Sequence, residues 1–202
     1  MILTMEKLQK QINDIKKEVA ELKNENPISI KKKFEIGDIF DLIGLKWKIL
    51  DKTDAGYACL AETLEDERQF DKNSSDWKNS SLRKYLNGEF LEKLSDAVGK
   101  ENIISFERDL FSLDGQTEYG SCEDKVSLLT VDDYRKYRSM IPNTGNRWWW
   151  LISPWSTPCN DYERSVTVVS PSGLINNYYD CDSNCVVRPF CIFSSSIFES
   201  ED

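Results

Sequence analysis

The sequence predicts an α+β fold: an N-terminal coiled-coil helix, then one domain of short helices and antiparallel strands. Three observations carry this. Apolar residues recur at Met1, Met5, Leu8, Ile12, Ile15, Val19 and Leu22, with spacings that alternate between four and three. Helix-start and helix-stop residues punctuate short stretches between 77 and 138. Short apolar runs bounded by Gly, Pro, Asn and Ser concentrate towards the C-terminus. A length of 202 residues suits one such domain plus an extension.

Residues 1–26 read as the coiled coil, with Met5, Ile12 and Val19 at a and Met1, Leu8, Ile15 and Leu22 at d. β-Branched residues at a with mostly Leu at d favour a parallel dimer; Ile12 beside Ile15 admits a trimer. Glu18 and Lys23 occupy g and e positions that pair between parallel helices. A single amphipathic helix packed on its own domain would use the same stripe, but its narrowness favours self-association. Asn26-Pro27 ends the helix, and residues 27–33, with Lys31-Lys32-Lys33, form a solvated linker.

The domain spans residues 34–198. Phe34 to Ile39 alternates like a strand, as does Leu45 to Leu50, with Tyr57 to Ala61 as the latter's partner across Asp54-Ala55-Gly56. Asp71 to Asp76 is a polar loop whose Ser75 or Asp76 caps a helix from Trp77 to Leu86, stopped by Asn87-Gly88. A second helix runs from Phe90 to Val98 and ends at Gly99. Ile103-Ile104 is a short strand, 107–124 a long polar surface loop, and Val126 to Leu129 a short buried strand. Thr130 and Asp133 start a helix through Arg138 in the manner of a capping box. Pro142 to Asn146 turns into the tryptophan strand. Val166 to Val169 and Leu174-Ile175 flank Ser170-Pro171-Ser172-Gly173, a hairpin signal. Val186 to Phe193 is the last strand, where Pro189 implies an edge or a bulge; Ser194 to Asp202 is expected to fray.

Composition narrows the function classes. Hydrophobic residues make up 40% of the chain, including six Trp, enough for a packed core. No apolar run approaches a membrane span, and the first residues lack the pattern of a secretory signal. Net charge is −9, with eight Lys and five acids in residues 1–33 and an acidic remainder. That balance argues against direct nucleic-acid binding and leaves room for a basic partner. There is no histidine, which removes Ser-His-Asp and Cys-His catalysis and every His-containing zinc site. Six cysteines without an export signal read as free thiols in a reducing cell. No catalytic residue, metal or cofactor is expected.

Arg147 to Phe193 reads as an apolar frame around a polar insert. Trp148 to Pro154 opens the frame and Val186 to Phe190 closes it, both as scaffold. One side of the tryptophan strand is free to line a groove, and Arg188 to pair with a buried carboxylate or stack on a tryptophan. Between them, Asn176 to Cys185 is written only with Asn, Tyr, Asp, Cys and Ser. Tyrosine supplies amphipathic contact area at low entropic cost, and Ser and Asn supply adaptable hydrogen bonds, as in antibody-like surfaces. A plain turn would need the Asn, Asp and Ser but not the adjacent tyrosines. The candidate ligand-binding residues are Trp155, Asn160, Asp161 and Tyr162, then Asn176, Asn177, Tyr178, Tyr179, Asp180, Asp182, Ser183 and Asn184. Asp180-x-Asp182-x-Asn184 opens like a calcium loop, but Cys185 replaces its glycine and Cys191 its bidentate Glu.

Leu45 to Leu50, Trp77-Lys78-Asn79-Ser80-Ser81-Leu82-Arg83-Lys84-Tyr85-Leu86-Asn87, Lys125 to Thr130, Trp148 to Pro154 and Val187-Arg188-Pro189 together resemble the bacterial and phage family called domain of unknown function 6273. The resemblance covers about residues 34–193 in the family's order. The family usually has Arg at the position of Ile152 and Gly at that of Trp155. The Trp-Trp-Leu…Ser-Pro and Val-Arg-Pro frame is also similar to C-type-lectin-like and formylglycine-generating-enzyme-like bodies. That fold is used by variable proteins of diversity-generating retroelements, in which Asn codons are rewritten to Tyr, Asp, Ser and Cys. The 176–185 run and Cys159-Asn160-Asp161-Tyr162 share that vocabulary.

The resemblance implies a non-enzymatic binding protein with a C-type-lectin-like body. It would display a polar, aromatic and diversified surface to a protein or surface glycan, with avidity from self-association through residues 1–26. An alternative is an acidic phage-encoded inhibitor of a basic host protein. A formylglycine-generating-type enzyme is a third reading, whose cysteine pattern is not matched here. The expected location is the bacterial cytoplasm or a phage virion.

Overall fold

The computed structural model describes residues 34–198 apart from Glu65, together with Lys7, Lys10, Asn13 and Asp14. Those four are helical and exposed, at outer heptad positions that any amphipathic helix leaves in water. The a and d positions, the coiled coil and the 27–33 linker lie outside the described residues.

In chain order the strands are β1 (Ile39–Leu42), β2 (Leu45–Thr53), β3 (Gly56–Ala61), β4 (Arg68–Gln69), β5 (Ile103–Ile104), β6 (Phe106–Asp109), β7 (Ser121–Asp124), β8 (Val126–Ser127), β9 (Trp149–Pro154), β10 (Ser165–Val169), β11 (Ile175–Asp180), β12 (Asn184–Cys185) and β13 (Phe190–Phe193). The α-helices are α1 (Ser81–Tyr85), α2 (Leu91–Val98) and α3 (Val131–Tyr137). The fold is thus mixed α and β, with mostly antiparallel strands and short helices.

One sheet runs β1-β2-β3-β13-β5, with β8 also on β13; a second runs β11-β10-β9. A parallel bridge from Trp149 to Val186 links the two halves of the apolar frame, supported by Val186 N–H to Trp148 O (3.0 Å) and Trp150 N–H to Val186 O (3.3 Å). Both sheets are covered on both faces. Trp150, Ile152, Cys59, Cys191 and Phe193 face the core under α1 and α2. Trp149, Leu151, Ala58, Leu60 and Phe190 face a second core under α3. Two-sided burial explains why β3 and β9 read as continuous apolar runs rather than as alternation. Trp149 and Trp150 are 1% and 0% exposed: both are core.

Several sequence expectations change. Phe34 to Asp38 is not a strand. Gly37 takes φ +97 and Asp38 accepts the Glu35 N–H, closing a turn that leaves Ile36 exposed. The Trp77 to Leu86 helix is two segments, because two caps compete. Asp76 accepts the Lys78 N–H and starts a single 3₁₀ turn, Trp77–Asn79; Ser80 then accepts the Arg83 N–H and starts α1. Asn87-Gly88 interrupts the helical path as expected: Gly88 takes the non-helical angles φ −108 and ψ −107, and the chain kinks there, within Leu86–Phe90, into α2. The 107–124 loop contains the β6–β7 ladder. β13 is central rather than an edge, and Pro189 lies just before it, its carbonyl accepting the Ala61 N–H (2.8 Å). The tail does not fray before residue 199: Phe198 is buried against Phe34, Phe40 and Tyr57.

The capping box of α3 forms as expected, Thr130 and Asp133 exchanging side-chain-to-backbone hydrogen bonds. Asp133 also takes a 2.6 Å bond from buried Arg108. Burial alone would raise the Asp133 carboxyl. The Arg108 charge and the Thr130 hydrogen bonds outweigh it and hold the group below the usual carboxylate value. A depressed carboxylate contributes stability above its unfolded value, about 3.9, and loses it as pH falls through the folded value. Asp133→Asn is therefore expected to cost roughly 1.5–3 kcal/mol at neutral pH and to flatten the decline below about pH 4. Urea unfolding across that range checks it; an acid limb unchanged in the variant contradicts it.

Candidate functional site

Antiparallel order gathers the two polar segments. β9 ends, β10 begins and β11 ends at one edge of the three-stranded sheet, with Pro154 opposite Val166 and Ser165 opposite Asp180. The 155–164 loop and the 181–183 turn leave from that edge together. The polar insert 176–185 is mostly strand. Asn176 to Asp180 lie in β11, Asn184 in β12 opposite Gln69, and Cys181 and Cys185 are buried anchors.

The first segment is tied down from beneath. Asp114 accepts hydrogen bonds from the hydroxyls of Ser112 and Ser156 (the latter 2.7 Å) and from the Asn160 amide (3.1 Å). These bonds, that of Ser112 first, hold the Asp114 carboxyl below its usual range. Ser156 and Thr157 are buried and Trp155 half-buried, while Asp161, at φ +60, turns outward beside exposed Tyr162. Asn160 thus spends its amide on the loop itself.

The second segment is tied by charge. Arg164 reaches Asp182 at 2.8 Å and Asp180 at 3.8 Å, and Gln69 donates to the Asp182 carbonyl (2.7 Å). Asp180 and Asp182 are 59% and 46% exposed, so these pairs orient more than they stabilise. Asn184 is exposed and Ser183 and Asn176 half-buried; the side chains of Asn177, Tyr178 and Tyr179 lie outside the described residues. The Asp180-x-Asp182 spacing therefore serves a guanidinium. Among the described residues no group of three or more Cys, Asp or Glu is placed to hold a metal ion.

Two further loops, both expected as polar surface loops, complete this end; no local pattern places them beside the 155–164 loop. In the 71–76 loop, Asp71 N–H meets Cys181 O (3.0 Å) and Ser75 N–H meets Glu163 O (2.7 Å). In the 110–120 loop, Tyr119 OH lies 3.2 Å from Ser75 Oγ. Within the first of these loops Asp71-x-Asn73 closes an Asx turn, in which Asp71 accepts the Asn73 N–H. The four loops carry Asp71, Asp76, Asp114, Glu118, Asp161, Glu163, Asp180 and Asp182 against Lys72 and Arg164, a strongly acidic end.

The two buried thiols beside these loops are muted. Burial pushes the Cys181 thiol up to about 11 and the Cys185 thiol up to about 12, so both stay protonated and weakly nucleophilic near neutrality. Arg188, expected to serve the scaffold, is 4% exposed with its guanidinium 5.0 Å from the Trp149 ring. It donates to the Ala61 and Pro142 carbonyls; of its two expected roles, it stacks. No described helix is long and apolar enough to cross a membrane.

No curated protein and no solved structure matches the chain. A family model does, over residues 47–195. That match takes in the β2 tryptophan, the α1 region, the whole apolar frame and the four-loop end, and the chain belongs to the DUF6273 family, a domain of unknown function.

Proposed function

We propose that this protein is a non-enzymatic binding protein that presents the four-loop end to a macromolecular target, a protein or a surface glycan, from a rigid C-type-lectin-like body. One observation carries the reading. Two segments chosen for contact chemistry, 155–162 and 176–184, share one edge of the β9–β10–β11 sheet. Loops fixed on a rigid scaffold are where binding residues concentrate. Exposed Tyr162, Asp161, Asp180, Asp182 and Asn184 offer hydrogen bonds and an aromatic face. Diversification of this surface, and multiplication of it through residues 1–26, belong to the same reading.

The acid excess of this end favours a second reading, a basic protein partner. The two separate by salt: a partner held by charge loses affinity steeply as ionic strength rises, a glycan does not. The test presents the full chain to a glycan array and to immobilised basic proteins, alongside a Tyr162→Ala/Asp180→Ser variant. Binding that falls by about tenfold or more, some 1.4 kcal/mol, with an unchanged melting temperature is expected. Equal binding by the variant, or a footprint at the opposite 170–174 turn, removes the proposal.

A further inference from the structure

We propose that a second, separate site lies in the cleft between the β1–β2 turn, β4 and the α1–α2 kink, and that it takes a small organic carboxylate carried on an apolar body. The cleft has a volume of about 300 Å³, at the lower end of ligand-pocket sizes. Three local irregularities meet there.

The first is Ile43. It sits at φ +51, followed by Gly44 at φ +76, in a two-residue turn joining paired Leu42 and Leu45. Such turns favour Asn-Gly because both central residues need positive φ. A β-branched residue there costs about 1–2 kcal/mol, and what it supplies in return is an apolar side chain on the cleft wall. The second is the kink at Gly88 between α1 and α2, beside which Tyr85 and Phe90 line the cleft. The third is Arg68. Its guanidinium lies 3.7 Å over the Tyr85 ring, and its Nε is buried without a hydrogen-bond partner. An unmet buried donor is costly and calls for an acceptor.

The Trp77–Asn87 motif sharpens the point. Trp77, Arg83 and Asn87 are all engaged by Asp124 and β8, Ser80 caps α1, and Leu82 and Leu86 are core. Tyr85 takes no part in that network. It lines this cleft, and with Arg68 it also lines an adjoining one of about 350 Å³. The stacked pair forms the partition between them.

Charge selects the ligand. Arg68, Lys93 and Asp66 stand at the cleft, and among the described residues none of the three forms an ion pair. The balance is one net positive charge beside apolar Leu45 and Leu64. A carboxylate meets the guanidinium through paired charge-assisted hydrogen bonds, while its apolar body fills the space between Ile43 and Phe90.

The experiment titrates the full chain by calorimetry with hexanoate, phenylacetate and 4-phenylbutyrate, each against its primary amide. At least one acid is expected to bind about tenfold or more tightly than its amide. Arg68→Gln is expected to erase that preference. Ile43→Asn is expected to weaken the acid while raising the melting temperature, since it relieves the turn; it keeps the test open should Arg68→Gln fold poorly. No acid binding, equal binding of acid and amide, an undiminished preference in Arg68→Gln, or undiminished acid affinity in Ile43→Asn overturns the proposal. The site stands independently of the four-loop end.

Discussion

Asp124→Ala is expected to remove about 3–5 kcal/mol of stability, the cost of stranding a buried charge pair by deleting one partner. The Asp124 side chain is fully buried. One oxygen accepts the Trp77 indole N–H at 2.7 Å; the other accepts Arg83 Nε at 2.6 Å, with the Asn87 amide at 3.4 Å. Arg83 also donates to the Glu123 carbonyl, and Asn87 uses its amide oxygen for the Lys125 and Val126 N–H groups and its nitrogen for the Val126 carbonyl. Asn87 thus pairs with β8 as another strand would. Asp124 is the point where helix α1, the kink at Gly88 and β7 meet, so its loss leaves a guanidinium, an indole N–H and an amide short of an acceptor at once. Asp124→Asn keeps the shape and one acceptor and is expected to cost less, about 1.5–3 kcal/mol. Urea unfolding followed by tryptophan fluorescence measures both. A loss under about 1 kcal/mol for the alanine variant would mean that water replaces the carboxylate, and the network would not be what joins the helices to the sheet.

How much of this was legible in the sequence depended on how local each signal was. The β2–β3 hairpin, the α3 capping box and the 170–174 turn all rest on residues a few positions apart, and all form. The motif around Trp77 read as one helix because Asp76 and Ser80 are both good caps, and a linear reading must choose one; the chain uses both in succession. Asn87-Gly88 is legible as a stop, and Gly88 does break the helical path; what is not legible is that the Asn87 side chain is claimed by β8, from far along the chain. The β6–β7 ladder escaped notice because its outward residues are Glu107, Asp109 and Glu123, letters that also spell a loop. The contact segments were chosen by composition, and topology brings both to one edge. The 176–185 insert is held by Cys181 and Cys185 as buried anchors, which a polar composition does not reveal. Asp114 and the 71–76 loop reach the site only through tertiary contacts, which no spacing rule encodes.

Trp149→Ala is the other substitution expected to be severe, again about 3–5 kcal/mol. The ring is 1% exposed, meets the Tyr134 edge with centroids 5.5 Å apart and lies under the Arg188 guanidinium. Burial pushes the Arg188 pKa down to about 10, with Glu62 opposing the shift, so the folded environment disfavours this charge. Deleting the indole face removes part of what compensates it. The cost of Trp149→Ala should therefore contain two parts, a cavity and a poorly compensated cation, and a double-mutant cycle separates them. Arg188→Met alone exchanges a desolvated charge for apolar volume and is expected to cost little. In the Arg188→Met background, Trp149→Ala should cost about 1–2 kcal/mol less than in the native chain, because the cation is gone and the cavity remains. Additivity within about 0.5 kcal/mol would show that the stacking adds nothing beyond buried area. The backbone makes the outcome matter beyond stability: Trp149 pairs with Val169 on one side and Val186 on the other. Loosening it releases both halves of the frame that carries β9 and the return to β13, and a target bound at the far edge of that sheet would lose its rigid support first.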